Sequence, residues 1–267
     1  MAAISSPHSP LSEAVRSLRI SVQYTGLDKP LKTLVVTSAM PAEGKSVVAA
    51  NLAAVCALAG NRTILVGADL RRPSLSSMFD IKKGAAGLSE IVAGVQGTDW
   101  GAPAPTSAAG TRGVPQKEVG DITNRLPKPM TNLVFLPAGR PPPNPAELLG
   151  SRRMSRVLAQ LSAGADVVVI DTPPLLPVAD AAIVAAQADG VILVVAMNET
   201  RRDSAQRALN VLSQTNARVL GVVVNKVSRH SAPYYYNGYE GDSEESPGRR
   251  GPRPWRSRHR SDRLGKY

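Results

Sequence analysis

The 267-residue sequence contains one cysteine, and its aromatic residues amount to only 4%. A single cysteine, Cys56, cannot form an internal disulfide, and its position in an apolar run is typical of a small buried side chain in a reducing compartment. No stretch reaches the roughly 18 consecutive apolar residues of a membrane span. Residues 1–10 also lack the basic and apolar blocks of a secretory signal. These absences predict a cytoplasmic protein.

The scarcity of aromatic residues means that the 43% of apolar residues must build a core from Ala, Val, Leu and Ile. Acidic residues are also few, so that the net charge is +11. Such a balance favours anionic partners, namely nucleotides, nucleic acid, acidic polymers or a membrane surface, without choosing among them. Residues 228–267 carry nine basic and five acidic residues, which gives +4 and leaves +7 on residues 1–227.

Short apolar runs alternate along the chain with segments of helical pattern. The runs predict strands at 31–37, 63–66, 133–136, 167–170, 191–195 and 219–224. An Ala-rich helix is predicted over 46–58, and Asn144 is predicted to cap a helix that begins at Pro145. Because strands that alternate with helices form parallel sheets through right-handed crossovers, we expect an α/β fold with a doubly wound, mostly parallel sheet.

The first predicted element is a helix over residues 9–25. Ser9 is a suitable N-cap, and Pro10 suits the first helical position. The apolar residues at helical spacing are Leu11, Val15, Leu18 and Val22, which form one apolar stripe.

Two segments depart from the alternating pattern. Residues 97–131 are rich in Gly, Ala, Pro and Thr, and we interpret them as a flexible surface insertion within a domain of residues 1–227. Residues 228–267 are polar and charged with almost no aliphatic side chains, which predicts a disordered tail. This tail holds five of the six tyrosines, which are Tyr234, Tyr235, Tyr236, Tyr239 and Tyr267.

Residues 41–46 read Pro-Ala-Glu-Gly-Lys-Ser and lie between a predicted strand and a predicted helix. In a phosphate-binding loop, backbone N–H groups and the helix N-terminus cradle phosphate oxygens. Lys45 would then reach the β- and γ-phosphates, and the Ser46 hydroxyl would bind Mg²⁺. The leading glycine of the strict pattern is replaced by Ala39. The alternative is a polar turn that matches by accident.

Two aspartates follow predicted strands. Asp69 follows the strand at 63–66, and Asp171 follows the strand at 167–170. Since the carboxyl ends of parallel strands line the ligand crevice of an α/β sheet, both carboxylates could converge on one Mg²⁺. The neighbouring Arg71 and Arg72 are either surface charges or contacts to phosphate or to a partner.

Together these motifs resemble the bacterial tyrosine kinase (BY-kinase) family, over about residues 9–227. Residues 41–46 resemble its Walker A motif, 64–73 its Walker A′ and 168–174 its Walker B. Residues 139–149 are close to a stretch specific to the family. The resemblance implies a P-loop NTPase fold of the deviant Walker type and an ATP-dependent protein-tyrosine autokinase that regulates capsular or extracellular polysaccharide synthesis and export.

The resemblance also implies roles for individual residues. The expected catalytic residues are Lys45, Asp69 and Asp171, and the expected Mg²⁺ ligands are Ser46, Asp69 and Asp171. ATP would bind at Pro41, Ala42, Glu43, Gly44, Lys45, Ser46 and Val47, with Asn225 near the adenine. Oligomerisation is expected through Glu13, Arg16 and Arg19, and autophosphorylation on Tyr234, Tyr235, Tyr236, Tyr239 and Tyr267.

The partners that the resemblance implies are further copies of the chain in a ring and a membrane-bound polysaccharide co-polymerase that activates the kinase. The sequence has no span of its own, so we expect the type whose activator is a separate protein that recruits the kinase to the inner face of the plasma membrane. The resemblance also allows a cognate tyrosine phosphatase, and no nucleic-acid partner is expected.

One residue departs from the family pattern. Walker A′ of the family usually reads Asp-x-Asp, whereas this sequence has Gly67-Ala68-Asp69. The missing first aspartate is the residue usually proposed to accept the tyrosine proton, and loss of a general base costs about 10²- to 10⁴-fold. A nucleotide-binding regulatory module with little kinase activity is therefore an alternative. A partition-type or Mrp-type ATPase is a third, disfavoured because residues 38–41 contain no lysine.

Overall fold

A computed structural model describes residues 6, 9–26, 30–82, 84–95 and 132–228 of the chain. These residues belong to one compact unit, which spans residues 1–231. The helices are α1 (Pro10–Thr25), α2 (Lys45–Leu58), α3 (Ser74–Met78), α4 (Leu88–Ala93), α5 (Pro145–Leu149), α6 (Arg152–Gly164), α7 (Asp180–Ala185) and α8 (Arg202–Gln214). The strands are β1 (Thr33–Ser38), β2 (Thr63–Gly67), β3 (Leu133–Leu136), β4 (Val167–Asp171), β5 (Gly190–Ala196) and β6 (Val219–Asn225).

The six strands form one sheet in the order β3-β2-β4-β1-β5-β6, and every neighbouring pair is parallel. The expected α/β fold with a doubly wound, parallel sheet is thereby confirmed. The carboxyl ends of β1, β2 and β4 meet at one edge of the sheet because these strands are neighbours or next neighbours. Any ligand crevice is expected at that edge.

Each face of the sheet is covered by its own hydrophobic cluster. On one face, α1, α2 and α3 pack through residues such as Val15, Leu52 and Leu75. On the other face, α4, α6, α7 and α8 pack through residues such as Met154 and Leu212. Strands covered on both faces read as continuous apolar runs, which is why β1 and β2 are buried along their whole length.

The two phenylalanines of the sequence pack against each other in the first of these clusters. The rings of Phe79 and Phe135 stack with their centroids 4.6 Å apart. Cys56 is buried in the same cluster, and burial raises the pKa of its thiol to about 11. The aliphatic core and the inert buried cysteine that the composition predicts are both confirmed.

The predicted strands and the two long N-terminal helices are confirmed to within two residues, and Asn144 is the N-cap of α5, which begins at Pro145 as predicted. The Asn144 side chain makes no capping hydrogen bond, and its Nδ2 instead donates to Glu147 Oε2 at 2.9 Å. Leu11 is 45% exposed, because α1 packs on the core only from Val15 onward. Ser12, one residue later, is fully buried, and its hydroxyl donates to the Ser6 carbonyl at 2.7 Å.

The predicted surface insertion at 97–131 lies outside the described residues, and so does the predicted disordered tail beyond Ser228. Both assignments, and the domain boundary at residue 227, therefore remain predictions. Within the described ranges, no helix combines the length and the hydropathy needed to cross a bilayer.

Candidate active site

The loop after β1 leads directly into α2 and shapes the centre of the crevice. Gly44 is the N-cap of α2, with φ at 90°, and Lys45 and Ser46 are the first two helical residues. Only glycine takes this backbone conformation without strain. A side chain at position 44 would also collide with β6, because a Cβ there would lie 2.1 Å from Asn225 Nδ2.

Lys45 brings the two predicted aspartates together. Its Nζ donates to Asp69 Oδ2 at 3.1 Å and lies 3.6 Å from Asp171 Oδ1. The Lys45 Nζ also donates to Ser46 Oγ at 3.2 Å. All four residues are buried or nearly so, and they come from α2, from the end of β4 and from the segment after β2. The convergence predicted from the strand ends is what the structure has.

The surroundings of Asp171 compensate only in part for the burial of its carboxylate. Burial raises the pKa of its carboxyl to about 6, although Lys45 and the Ser46 hydroxyl act in the opposite direction. Its Oδ1 is buried and has no hydrogen-bond partner among the described residues. Since a buried polar atom without a partner is costly, the Asp171 oxygen is poised to accept a further cation or donor.

The residues around this oxygen fit Mg²⁺. The ion prefers carboxylate, hydroxyl, water and phosphate oxygens, and Ser46, Asp69 and Asp171 supply the first two kinds. Within the described ranges, no three His, Cys, Asp or Glu side chains cluster as a metal site. A protein that binds Mg²⁺ with two carboxylates and one hydroxyl therefore leaves the remaining positions to water and to the phosphates of a nucleotide.

Two further contacts hold this set in place, and sequence reasoning missed both. The Arg72 amide donates to Asp69 Oδ1 at 2.9 Å, so that both oxygens of Asp69 are engaged. The Ser74 hydroxyl donates to Ser46 Oγ at 2.8 Å. Position 74 could have been suspected, because it opens the helix that follows the Walker A′ segment, where a small hydroxyl side chain caps or orients its neighbours.

A cavity of about 700 Å³ opens above Lys45 and Ser46. Its walls come from the P-loop, from the segment after β2 with α3, and from the loop after β4. The lining residues are Pro41, Ala42, Gly44, Lys45, Ser46, Val47, Asp69, Arg71, Arg72, Ser74, Ser77, Met78, Pro173, Pro174, Pro177 and Val178. A cavity of this size is large enough for a nucleotide-sized ligand.

Glu43 and Asn225, which were expected to contact the nucleotide, do not line this cavity. Glu43 is buried behind the P-loop, where its Oε2 accepts from the Met40 amide at 2.9 Å and its Oε1 accepts from the Thr200 hydroxyl. The Asn225 Nδ2 donates to the Glu43 carbonyl at 2.9 Å. Both side chains therefore act on the shape of the loop. Thr200 was missed, since no motif marks it.

Arg71 does not reach toward the phosphate end of the cavity. Its Nε and Nη2 donate to the two carboxylate oxygens of Asp180 at 2.8 and 3.0 Å, and Asp180 is fully buried at the start of α7. This forked pair raises the pKa of the Arg71 guanidinium and ties the Walker A′ segment to α7. An isolated acid in the Ala-rich stretch around Asp180 was the available signal, because such acids are buried only when paired.

Gly67 ends β2 directly beside Asp171 in the strand register. Neighbouring residues of parallel strands share a face, so a side chain at position 67 would lie on the same face as the Asp171 carboxylate. A Cβ there would come within 3.1 Å of the Ala138 amide nitrogen, which is tight but requires a shift of only a few tenths of an ångström. The structure thus has no carboxylate at this position but has nearly enough space for a Cβ.

The predicted oligomerisation residues lie on α1, away from the cavity. Arg16 pairs with Glu13 one turn earlier, and Arg19 Nη1 donates to Gln23 Oε1 at 3.1 Å. Their role in assembly stays a prediction. The predicted autophosphorylation sites, Tyr234, Tyr235, Tyr236, Tyr239 and Tyr267, lie outside the described residues.

Comparison with known proteins shows which family has this arrangement of fold and site. Residues 34–241 match the family model of the CobQ/CobB/MinD/ParA nucleotide binding domain. The chain is 34% identical over 236 residues to the tyrosine-protein kinase YwqD of Bacillus subtilis, and the match covers 88% of this chain and 90% of YwqD. The chain belongs to the bacterial tyrosine-protein kinase family. The expectation of a BY-kinase with a P-loop NTPase fold is confirmed.

Solved structures agree with this assignment. The kinase domain of the Escherichia coli tyrosine kinase ETK superposes with a TM-score of 0.71 at 28% identity, covering 89% of this BY-kinase and 84% of ETK. The septum site-determining protein MinD of Pyrococcus horikoshii, solved with Mg-ADP, is 19% identical with a TM-score of 0.52, covering 72% of this BY-kinase and 69% of MinD. MinD shares the fold alone.

Proposed function

We propose that this BY-kinase transfers the γ-phosphate of ATP to tyrosines of its C-terminal segment on a neighbouring subunit, and so regulates polysaccharide synthesis and export. The observation that carries the proposal is the position of Lys45 between Asp69 and Asp171 at the floor of the cavity, next to the N-terminus of α2. A cation and a helix N-terminus in one crevice bind the phosphates of a nucleotide, as in other P-loop proteins.

Phosphoryl transfer depends mainly on positioning and on neutralising charge. In the proposed complex, the α2 N-terminus and Lys45 hold the β- and γ-phosphates. Ser46, Asp69 and Asp171 hold Mg²⁺, which would neutralise charge on the phosphate oxygens. The buried Asp171 Oδ1 is the strongest support for this metal site, since it has no donor among the described residues.

In the reaction, the phenolic oxygen of the acceptor tyrosine forms a bond to the γ-phosphorus, and the bond from that phosphorus to the β-γ bridging oxygen breaks. ADP leaves, and the phenolic proton passes to water. Asp69 lies on the cavity wall, but its two oxygens are engaged by the Arg72 amide and Lys45 and it is assigned to Mg²⁺, so it does not serve as the proton acceptor.

The acceptors that we propose are Tyr234, Tyr235, Tyr236, Tyr239 and Tyr267. Each phosphorylation would add about −1.5 to −2 charges to the segment. Several such charges would repel the segment from the acidic floor of a neighbour's site and loosen a ring of subunits assembled through Glu13, Arg16 and Arg19. A membrane-bound co-polymerase would act as activator and bring the kinase to the inner face of the plasma membrane.

The proposal is tested by incubating the full chain with ATP and Mg²⁺ and mapping phosphotyrosine by mass spectrometry. Phosphate is expected on residues 234–239, and it should be absent when all five acceptors are changed to Phe. If the wild-type chain carries no phosphotyrosine there, even with an activating membrane partner present, the proposal is wrong.

A second candidate function rests on Gly67. Because the face beside Asp171 holds no first Walker A′ carboxylate, the chain could serve as a nucleotide-binding regulatory module with weak transfer. Gly67→Asp is then expected to raise autophosphorylation by about 10²-fold or more, in line with the contribution of a general base. Gly67→Ala is the matched control, since it adds the same Cβ beside Ala138 without a carboxylate. Equal rates for wild type and Gly67→Asp would exclude this second function.

A further inference from the structure

Two consecutive arginines on the cavity wall differ in what neutralises them. Arg71 is held by a forked ion pair with the buried Asp180, at 2.8 and 3.0 Å. Arg72 is exposed, and in the described part of the chain its guanidinium has no carboxylate partner within ion-pair distance. The charge of Arg71 is therefore neutralised by Asp180, whereas the charge of Arg72 faces the cavity.

The backbone of Arg72 is fixed although its side chain is exposed. The Arg72 amide donates to Asp69 Oδ1 at 2.9 Å, which ties this residue to the acid beside Lys45. Its neighbours on the cavity wall, Ser77 and Met78 of α3, are exposed as well. Arg72 thus presents an exposed cation on the wall of the cavity.

In the proposed function, the phosphates of ATP bind elsewhere in the cavity, at Lys45 and the N-terminus of α2. The proposed acceptor segment supplies the opposite charge. Four carboxylates follow the last clustered tyrosine within six residues, namely Glu240, Asp242, Glu244 and Glu245. No basic residue lies between His230 and Arg249 to neutralise them.

We propose that Arg72 selects acceptor tyrosines that are followed by acidic residues, by pairing with carboxylates on their C-terminal side. Guanidinium and carboxylate groups pair through two parallel hydrogen bonds, which gives direction as well as attraction. Tyr239 fits best, because carboxylates follow it at the first and third positions. This inference deepens the proposed function and rests on it for the identity of the acceptor segment.

The test measures peptide binding, so that it does not require turnover. The probe is a fluorescent peptide of residues 232–247, compared with the same peptide carrying Glu240→Gln, Asp242→Asn, Glu244→Gln and Glu245→Gln. The protein is the full chain with these four substitutions in its own segment, loaded with a non-hydrolysable ATP analogue and Mg²⁺. Dissociation constants are measured by fluorescence anisotropy for this chain and for its Arg72→Gln variant.

We expect the acidic peptide to bind about three- to tenfold more tightly than the neutral peptide, as befits a charge pair at the rim of a site. Arg72→Gln should remove that preference and leave the affinity for the ATP analogue within twofold. Arg62→Gln is the control, since Arg62 is an exposed arginine just before β2 that pairs with Asp166. It should retain the full preference.

Three other outcomes overturn the inference. In the first, the chain with Arg72 binds the acidic and the neutral peptide with equal affinity. In the second, Arg72→Gln lowers the affinity for both peptides equally. In the third, Arg72→Gln lowers the affinity for the ATP analogue, which would make Arg72 a phosphate contact. Failure of the proposed function is a separate result: in that case Tyr239 receives no phosphate in the mass spectra although the Arg72-dependent preference is measured.

Discussion

The two flanks of the P-loop contain similar polar groups in opposite states of hydrogen bonding. On the flank toward β6, both carboxylate oxygens of Glu43 accept hydrogen bonds, and Asn225 holds the Glu43 carbonyl. On the flank toward the cavity, the single cation of Lys45 serves two carboxylates, and Asp171 Oδ1 has no donor among the described residues. A satisfied network holds a shape, whereas an unsatisfied one gains most from a ligand.

The largest effect is expected on the cavity flank, from Lys45→Met. This change removes the cation that would neutralise phosphate and leaves Asp69 and Asp171 facing each other without it. Autophosphorylation should fall about 10²- to 10³-fold, the usual cost of losing one group that stabilises transition-state charge. The measurement is the initial rate of phosphotyrosine formation.

Lys32→Met is the control for this change. Lys32 lies just before β1, at the opposite edge of the sheet, and its Nζ donates to the Ser162 carbonyl at 3.1 Å. The control should keep the wild-type rate. A Lys45→Met variant that also keeps it would mean that the cavity flank is not the phosphate site.

The next effect is a dependence of stability on pH that belongs to Asp171. Its carboxyl has a pKa of about 6 in the folded chain against an ordinary value of 3.8, so the folded state retains a proton that the unfolded state has lost between these values. The contribution of Asp171 to stability is therefore full below about pH 4 and is lost as the pH rises through 6, by about 2 to 3 kcal/mol.

Asp171→Asn removes this titration. Relative to wild type without nucleotide or Mg²⁺, the variant should gain stability progressively from pH 4 to pH 7, as measured by denaturant unfolding at several pH values. A difference in unfolding free energy that stays constant over this range would show that Asp171 is ionised throughout.

A smaller effect is expected on the β6 flank. Thr200→Val leaves one oxygen of the buried Glu43 without its hydroxyl donor, and an unsatisfied buried acceptor costs about 1 to 3 kcal/mol. If this loss changes the shape of the P-loop, the affinity for ATP should fall about five- to tenfold, with little change in the rate at saturating ATP. Thr200→Ser should restore both.

Thr215→Val serves as the comparison, since the hydroxyl of Thr215 bonds only within the end of α8. It should leave ATP affinity unchanged. If Thr200→Val lowered the saturated rate and left ATP affinity unchanged, Thr200 would not act through the shape of the loop.

The smallest effect is expected at the tip of the loop, from Ala42→Gly. Ala42 has φ at 66°, in the left-handed region that costs a residue with a Cβ about 1 kcal/mol or more. Glycine should recover part of this and raise the midpoint of thermal unfolding slightly. Ala59→Gly is the control, since Ala59 has φ at −80° and should lose stability instead.

The sequence predicted the fold well because most of its strands are buried on both faces. Runs such as 167–170 have no polar side, and this pattern has few other structural explanations. It also predicted that Asp69 and Asp171 would converge, since each lies at the carboxyl end of a parallel strand. The short helices α3 and α4 went unpredicted, because five or six residues are too few for a helical period to be recognised.

Two of the contacts that escaped prediction join residues far apart in the sequence. Glu43 and Thr200 are 157 residues apart, and Arg71 and Asp180 are 109 apart. No periodicity or motif links such positions, and each partner is an ordinary residue type. They could be found only once the order of the strands in the sheet was known.

The contact between Asn225 and the P-loop has a consequence for how the protein is made. The P-loop is translated early, yet the amide that holds the Glu43 carbonyl belongs to the last strand, 182 residues later. During synthesis, the P-loop would therefore lack this hydrogen bond until β6 has been translated and has paired with β5. The ability to bind ATP would then develop only when the sheet is complete.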